Sequence, residues 1–425
     1  MEFIADLHIH SKYARATSER MELANIDTVC SEKGISIVST GDFTHPAWFK
    51  SLKENLEEAE EGLYVLRGSR AKTRFVFGVE IATIAEAPSS SKRKGIRKVH
   101  NCVLAPNAET AEQINDALAK HADLSVDGRP SLGMSPAELV EIVKGVSSDA
   151  IVFPAHAWTP WFGVFGSVSG YDSMKEAYED QEQHINALET GLSSDPAMNW
   201  RVSALDKYAL VSTSDAHSLQ KIGREATVFE MQADKLSFSA IARAIKEKKI
   251  KYTIEFYPEE GKYHYDGHRK CGISMSPEES KRYNNICPVC GKPLTLGVLH
   301  RVDDLADRPM GYVPKGAAPF VHAVPLVEIL AEVLGKPEQS EAVARTYSLL
   351  VSKFGSEMNV LLKADASEIE KVDKGVAAAI GNVRSNKVYV KPGYDGVFGI
   401  VDVSGSKKAS EEAEQKRSQK TISEF

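Results

Sequence analysis

Long apolar runs, cysteine and an excess of positive charge are what this chain has least of. Nothing in its 425 residues approaches the roughly 20 apolar residues of a membrane span, and the first residues lack a charged start followed by an apolar stretch. A soluble, cytoplasmic protein is the expectation. A formal charge of −7 argues against a strongly basic, non-specific nucleic-acid coat. It leaves room for a local basic groove, because binding depends on where the charge sits. Five cysteines are too few and too unevenly spaced for a disulfide framework; three of them fall between 271 and 290, which in a reducing compartment reads as zinc. The length allows two or three domains, and 42% hydrophobic content can furnish their cores.

What is present is histidine and carboxylate at chosen places. Asp6-Leu7-His8-Ile9-His10 ends an apolar strand, and alternation along a strand puts both imidazoles on one face. Ser214-Asp215-Ala216-His217 does the same with a carboxylate and an imidazole. Mixed oxygen and nitrogen donors suit zinc, manganese or iron. Between these stretches, apolar runs alternate with helical patterns. The strands are expected at Phe3–Asp6, Ile35–Thr40, Arg74–Glu80, Lys98–Leu104, Ala150–Pro154, Ile185–Glu189 and Ala209–Thr213, and the helices at Ala47–Glu61, Glu109–His121 and Ser135–Val146. Such alternation predicts parallel strands closing into a barrel, whose active site gathers at the carboxyl ends of the strands. His8, His10, Asp42, Glu80, His156, Glu189, Asp215 and His217 fall there. His100 departs from the rule, lying near the start of its run. His45, in the loop after Asp42, and Glu189 are each open between ligand and bystander.

Beyond Tyr252 the composition changes. Cys287-x-x-Cys290-Gly291 is a zinc-knuckle pattern, with Cys271 a third ligand and His268 the expected fourth, against the competing His264 and His300. A segment this poor in large apolar residues needs a metal to fold. From Pro325 amphipathic helices are expected at Leu326–Leu334, Gln339–Phe354, Ser356–Ala364 and Ser367–Val383, then a strand at Lys387–Lys391 and the turn Pro392–Gly396. Arg384, Lys387 and Lys391 beside that turn can present cations to phosphates. From Ser404 the chain turns polar and charged, as disordered tails do. The layout reads as a metal-site barrel at 1–252, a zinc-binding domain at 253–324, a helical domain at 325–403 and a tail at 404–425.

The metal-site stretches, with Thr40-Gly41-Asp42, Gly78-Val79-Glu80, His100 and Pro154-Ala155-His156, resemble the PHP (polymerase and histidinol phosphatase) superfamily. That resemblance implies a distorted (β/α)7 barrel in which His8, His10, Asp42, Glu80, His100, His156, Asp215 and His217 hold two or three divalent cations (Mg2+, Mn2+ or Zn2+) that hydrolyse phosphoesters, with Asp215 and Glu80 central to catalysis. The superfamily's second motif commonly reads Thr-Asp-His; here Phe43 follows Asp42. The three-part layout, with Pro154–Trp161, Ile222–Thr227, Cys287–Leu294 and Pro392–Gly399, resembles the endonuclease Q family over essentially the full length.

This second resemblance implies a DNA-repair endonuclease that cuts 5′ to deaminated bases (hypoxanthine, uracil, xanthine) or abasic sites, leaving 3′-hydroxyl and 5′-phosphate ends. Candidate DNA contacts are Lys92, Arg93 and Lys94 in the basic loop 91–98, Trp158 and Trp161 after His156, and Tyr394. Gln419, Ile422 and Phe425 are spaced like the peptide that docks on the sliding clamp PCNA, with Ile422 and Phe425 on one face of a helical turn. A phosphatase of a small ester shares the barrel but has little use for the knuckle, basic loop and helical domain. A non-catalytic DNA-binding module has no need of so complete a set of ligands.

Overall fold

A computed structural model of the chain describes residues 1–405 apart from Lys72 and Ser90. The first of its two compact units comprises Met1–Glu255 and Val298–Val321. Seven strands frame it: β1 (Glu2–Asp6), β2 (Ile37–Ser39), β3 (Arg74–Glu86), β4 (Ile96–Ala105), β5 (Ile151–Pro154), β6 (Ala187–Glu189) and β7 (Ala209–Val211). β1, β2 and β3 are parallel neighbours, as are β6 and β7. The chain just past β7 meets the chain just past β1, where Asp215 N–H donates to the His8 carbonyl at 2.9 Å and His10 N–H to that of Ala216 at 3.0 Å. Ala157 N–H, just past β5, reaches the Glu189 carbonyl at 3.0 Å. These bridges close the distorted (β/α)7 barrel that the sequence resemblance implies, and Leu7, Ile37, Val76, Leu104, Phe153, Ala187 and Val211 fill its core.

Two features differ from an all-parallel reading. β3 and β4 form a long antiparallel hairpin, and β4 also pairs antiparallel with β5. Reversal of β4 explains His100: lying early in its own strand, it sits opposite Ala82, two residues beyond Glu80. The helix expected over Ala47–Glu61 ends at Asn55, and Leu56–Glu60 becomes a strand paired with Leu63–Leu66. In that stretch Leu56 alone is buried and the next three residues are exposed, so edge pairing prevails over helical pattern. Helices at Ala108–Leu118 and Pro136–Val146 start where Asn107 and Ser135 cap them, the second with a full capping box.

The second unit comprises Phe256–Gly297 and, among the described residues, 322–405. Segment 253–324, expected as one zinc-binding domain, is therefore divided, because Val298–Val321 packs with the first unit. Helices at Leu326–Leu334, Glu341–Phe354, Ala366–Glu370 and Lys374–Arg384 enclose a separate core around Leu330, Val343, Leu350, Val360 and Ile380. The helix expected over Ser367–Val383 is broken in two, Asp373 capping the second part. Arg384, expected to face phosphate, instead donates to the carbonyls of Val360, Leu361 and Ala364, each at 2.8 Å, satisfying the end of a widened turn at Asn359–Lys363. Among the described residues no helix is long and apolar enough to cross a membrane.

Candidate metal centres and their surroundings

Three of the barrel's polar residues stand where the backbone has just left its strand in a left-handed conformation: Asp42 (φ 50°), His156 (φ 29°) and Asp215 (φ 48°). Such geometry is rare outside glycine and is kept only where surrounding contacts hold it. At Gly41 (φ 60°) a Cβ would lie 2.5 Å from the Ile9 carbonyl oxygen, so only glycine lets the β2 end approach the His8–His10 strand end.

Two groups of ligand atoms meet at Glu80. His8, His10, Glu80 and Asp215 form one; Glu80, His100 and His156 form the other. Glu80 is wholly buried; one of its oxygens lies 2.6 Å from His100 Nδ1 and 3.0 Å from His156 Nε2, the other 3.3 Å from His10 Nε2. His10 Nε2 lies 3.1 Å from Asp215. The far nitrogens are tied back to carboxylates: His8 Nδ1 to Glu189 at 2.9 Å and His10 Nδ1 to Asp42 at 3.0 Å. This arrangement fixes each ring so that Nε2 turns towards Glu80 and Asp215, as in carboxylate–histidine–metal triads. His8 Nε2 is left buried with no hydrogen-bond partner. A donor set with its lone pairs converging and one nitrogen orphaned fits divalent cations, which these residues would hold.

Electrostatics support that fit. Burial opposes charge on Glu80 and on Asp215, yet neighbouring imidazoles hold both well below the usual carboxylate range. Burial likewise opposes protonation of His8 and His10, but Cys102, Glu189, Glu80 and Asp215 raise the first, and Asp42, Asp215 and Glu80 the second. Imidazolium here does what a cation does, so metal and proton compete for these sites.

The remaining candidates are placed differently. Asp42 is outside both groups: its carboxylate accepts from the Ser11 N–H and hydroxyl at 2.6 and 2.7 Å as well as facing His10, which makes it an orienting residue. Glu189 likewise faces His8 Nδ1, and with His8 and Cys102 it makes a further buried group of ligand atoms. His217 is also outside both groups, with Nδ1 at 2.9 Å from its partner, the Asp215 carbonyl, and its ring 4.4 Å from that of His10. His45 lies outside both groups, bonded to the Ser125 carbonyl at 3.1 Å and stacked on Tyr13. Phe43, where the superfamily commonly has histidine, is fully buried core.

Two residues were missed by sequence reasoning. Arg129 donates to the Glu80 carboxylate at 3.1 Å on a side chain 26% exposed. No motif marks it; it comes from a loop far from the histidines. Asp6 heads the Asp-Leu-His-Ile-His stretch and accepts the N–H groups of Ser214 and Gly223 at 2.9 and 2.8 Å. It thereby locks the segment that carries Asp215.

Of the expected DNA contacts, Lys92, Lys94 and Trp161 are exposed. Arg93 instead latches a loop, donating to the carbonyls of Ser167 and Gly170 at 2.5 and 3.3 Å. Trp158 is fully buried, its indole N–H bonded to Asn199 at 2.7 Å, so it supports the barrel rather than a base. In the second unit Tyr394 packs against Gly267, where a Cβ would lie 2.4 Å from its ring. His268, Cys271, Cys287 and Cys290 bring their ligand atoms within 4.8 Å of one another. His264 stacks on Tyr265, and His300 faces Asp304 at 3.7 Å. Burial would raise the Cys287 thiol, but the N–H groups of Cys290 and Val289 hold it at about 6, the thiolate-favouring turn of a knuckle. Gln419, Ile422 and Phe425 lie outside the described residues.

The chain is similar to several known proteins. Residues 325–387 match the family model described as the MJ0043 C-terminal domain. The chain is 32% identical over 257 residues to MJ0043 of Methanocaldococcus jannaschii, covering 59% of this chain and 32% of that protein, so it spans about a third of that relative's length. To YqxK of Bacillus subtilis it is 28% identical over 412 residues, covering 93% and 98%. The crystal structure of the lesion-specific endonuclease PfuEndoQ from Pyrococcus furiosus superposes with a TM-score of 0.83 at 32% identity, covering 95% of each chain. Endonuclease Q in complex with a 27-mer duplex carrying an abasic lesion at the active site gives 0.81 at 31%, covering 96% of this chain and 98% of that one.

Two predictions follow from these geometries. Burial is the main cause that pushes the Asp6 carboxyl from 3.8 up to about 6, against the hydrogen bonds from Ser214 and Gly223. The folded state therefore holds that proton more tightly than the unfolded chain. Asp6 contributes its full stability below pH 3.8 and loses it as pH rises through 6, roughly 3 kcal/mol in all. Asp6→Asn should remove that slope; denaturant titrations of both proteins in excess chelator at pH 4 to 7 will show parallel curves if the assignment is wrong. Cys287→Ser/Cys290→Ser should lower metal content by about one zinc per chain and destabilise the second unit; elemental analysis showing unchanged zinc would remove the knuckle.

Proposed function

The chain belongs to the endonuclease Q family, and from that premise we propose that it is a metal-dependent DNA-repair endonuclease hydrolysing the phosphodiester 5′ to deaminated bases (hypoxanthine, uracil, xanthine) and abasic sites. One observation carries the reading: ligand groups for two cations share a buried Glu80, in a chain alike over nearly its whole length to nucleases that act on lesions. His8, His10, Glu80 and Asp215 would hold one cation and Glu80, His100 and His156 the other, with magnesium, manganese or zinc matching the donors. When bound, the pair supplies Lewis acidity and lowers the pKa of a water at neutral pH.

The chain's own residues do the rest. Glu189 and Asp42 keep the imidazoles of His8 and His10 in the ligating tautomer. His217, its Nδ1–H donated to the Asp215 carbonyl, keeps an Nε2 lone pair to accept a proton from the attacking water. Arg129 offers a guanidinium to the non-bridging oxygens of the scissile phosphate, whose negative charge grows as the new bond forms. As the P–O3′ bond breaks, the leaving oxygen takes a proton from solvent and departs as the 3′-hydroxyl, while the phosphate stays on the 5′ end. In the second unit, a zinc ion on His268, Cys271, Cys287 and Cys290 would serve structure, and reduced thiolates suit the cytoplasm. The spacing of Gln419, Ile422 and Phe425 supports docking on the sliding clamp PCNA, with the charged segment before it as a tether.

A duplex with a single abasic site or deoxyinosine, incubated with Mg2+, Mn2+ or Zn2+, should be nicked once on the 5′ side of the lesion, and chelator should abolish the nick. Asp215→Asn should lose at least a thousandfold in rate while binding the duplex. Arg129→Met should lose about a hundredfold, partly restored by added guanidinium. An unbroken lesion duplex under every metal would falsify the activity. Separately, removing residues 419–425 should leave cleavage of free oligonucleotides intact and abolish clamp pull-down; equal capture by the truncated chain places the docking site elsewhere.

A further inference from the structure

The turn at Pro392–Gly399 is held more tightly than an exposed turn requires. Gly393 N–H donates to the Glu259 carbonyl at 2.8 Å, Gly396 N–H to Lys262 at 2.9 Å and Gly399 N–H to Glu260 at 3.0 Å. The Asp395 carboxylate takes the Arg269 N–H at 2.6 Å and the Thr295 hydroxyl at 2.7 Å. At Gly399 a Cβ would sit 2.0 Å from the Glu259 carbonyl oxygen, so the turn is pressed onto segment 259–269 with no room for a side chain. Tyr394 is turned inward against Gly267. Phe398 is the aromatic that this rigid frame presents outward, 64% exposed, with Lys262 Nζ 4.4 Å from its ring centroid.

A single exposed phenylalanine needs no explanation by itself. Its surroundings supply one. The chain carries −7 overall, yet exposed residues of segment 261–297 include Lys262, Arg269, Lys270, Lys281, Arg282 and Lys292, against Glu278 and Glu279. The remaining acid there, Asp266, is buried. A flat apolar ring capped by an ammonium and ringed by cations matches a polyanion that also offers π-faces. Nucleic acid has that chemistry, and a lesion that breaks stacking exposes such faces in a duplex. A pre-ordered turn pays little entropy on binding.

We propose that the 392–399 turn is a DNA-contacting element of the second unit, in which Phe398 packs on an exposed base or deoxyribose while Lys262 pairs with an adjacent phosphate. It rests on the endonuclease reading for the identity of the DNA and deepens it with a recognition element outside the barrel.

The test uses full-length protein in an Asp215→Asn background, so that the duplex stays intact. A fluorescent duplex with one abasic-site analogue is titrated across a range of salt. Phe398→Ala should weaken binding about tenfold, and Phe398→Trp should retain it, since stacking tolerates any flat ring. Lys262→Ala should reduce the slope of log affinity against log salt by about one, the signature of a lost phosphate contact. Because both side chains are exposed, thermal unfolding of each variant should match the parent. Unchanged affinity for Phe398→Ala together with an unchanged salt slope for Lys262→Ala overturns the proposal, including the case in which Phe398→Ala loses only capture of a protein partner. If the enzyme with Asp215 restored binds the lesion duplex with these dependences but never nicks it under any of the three metals, the endonuclease reading fails and the contact stands.

Discussion

Glu80 lies wholly buried at the open end of the barrel, within hydrogen-bonding or ion-pairing distance of His10, His100, His156 and Arg129. A carboxylate so placed costs several kcal/mol unless positive charge meets it. Most neighbouring elements answer that demand. The segment after β1 brings the imidazoles of His8 and His10, β4 that of His100, the segment after β5 that of His156, and a distant loop the Arg129 guanidinium. The segment after β7 adds a second carboxylate, Asp215, that leans on the imidazoles of His8 and His10. Much of this end of the barrel is arranged to hold one negative charge between two places where cations fit.

That demand propagates outward. An imidazole serves such a centre only in one tautomer, so Glu189 and Asp42 are buried to hold His8 and His10, and Ser11 is needed for Asp42. Asp215 must stand in a left-handed conformation, so Asp6 pins the residues around it. Buried carboxylates thus come in layers: Glu80 and Asp215 at the centre, Glu189 and Asp42 behind the rings, Asp6 behind the backbone. Each layer limits the movement of the one inside it, and reaction geometry depends on that precision.

The second unit solves a different problem. Segment 256–297 contains few large apolar residues, and its four soft and borderline donors stand where a single zinc would knit the hairpin Asp266–Met275 to the Cys287 knuckle. The Pro392–Gly399 turn is bound onto the same segment. Rigidity there comes from backbone hydrogen bonds and glycine, and it leaves cations and one aromatic ring facing solvent.

The sequence by itself determined the barrel class, most of its strands, the donor residues gathered around Glu80 and the clustering of His268 with three cysteines. These rest on local rules: period-two alternation, histidine or carboxylate at a strand's end, and Cys-x-x-Cys with a following glycine. It also singled out the Pro392–Gly396 turn, because glycine spacing is visible in a linear text. Tertiary structure decided the rest, since each remaining answer depended on groups far apart in the chain. The reversal of β4 brought His100 to the centre although it lies early in its strand. Asp42 and Glu189 came to stand behind imidazole nitrogens from another strand end. Arg129 and Asp6 gained roles through partners 49 and 208 residues away. Trp158, Arg93 and Arg384 lost the DNA contacts that their chemistry suggested, because a buried indole and a guanidinium facing backbone carbonyls are already satisfied inside the fold. A side chain's capacity is written in its identity; its role is set by which partner reaches it first.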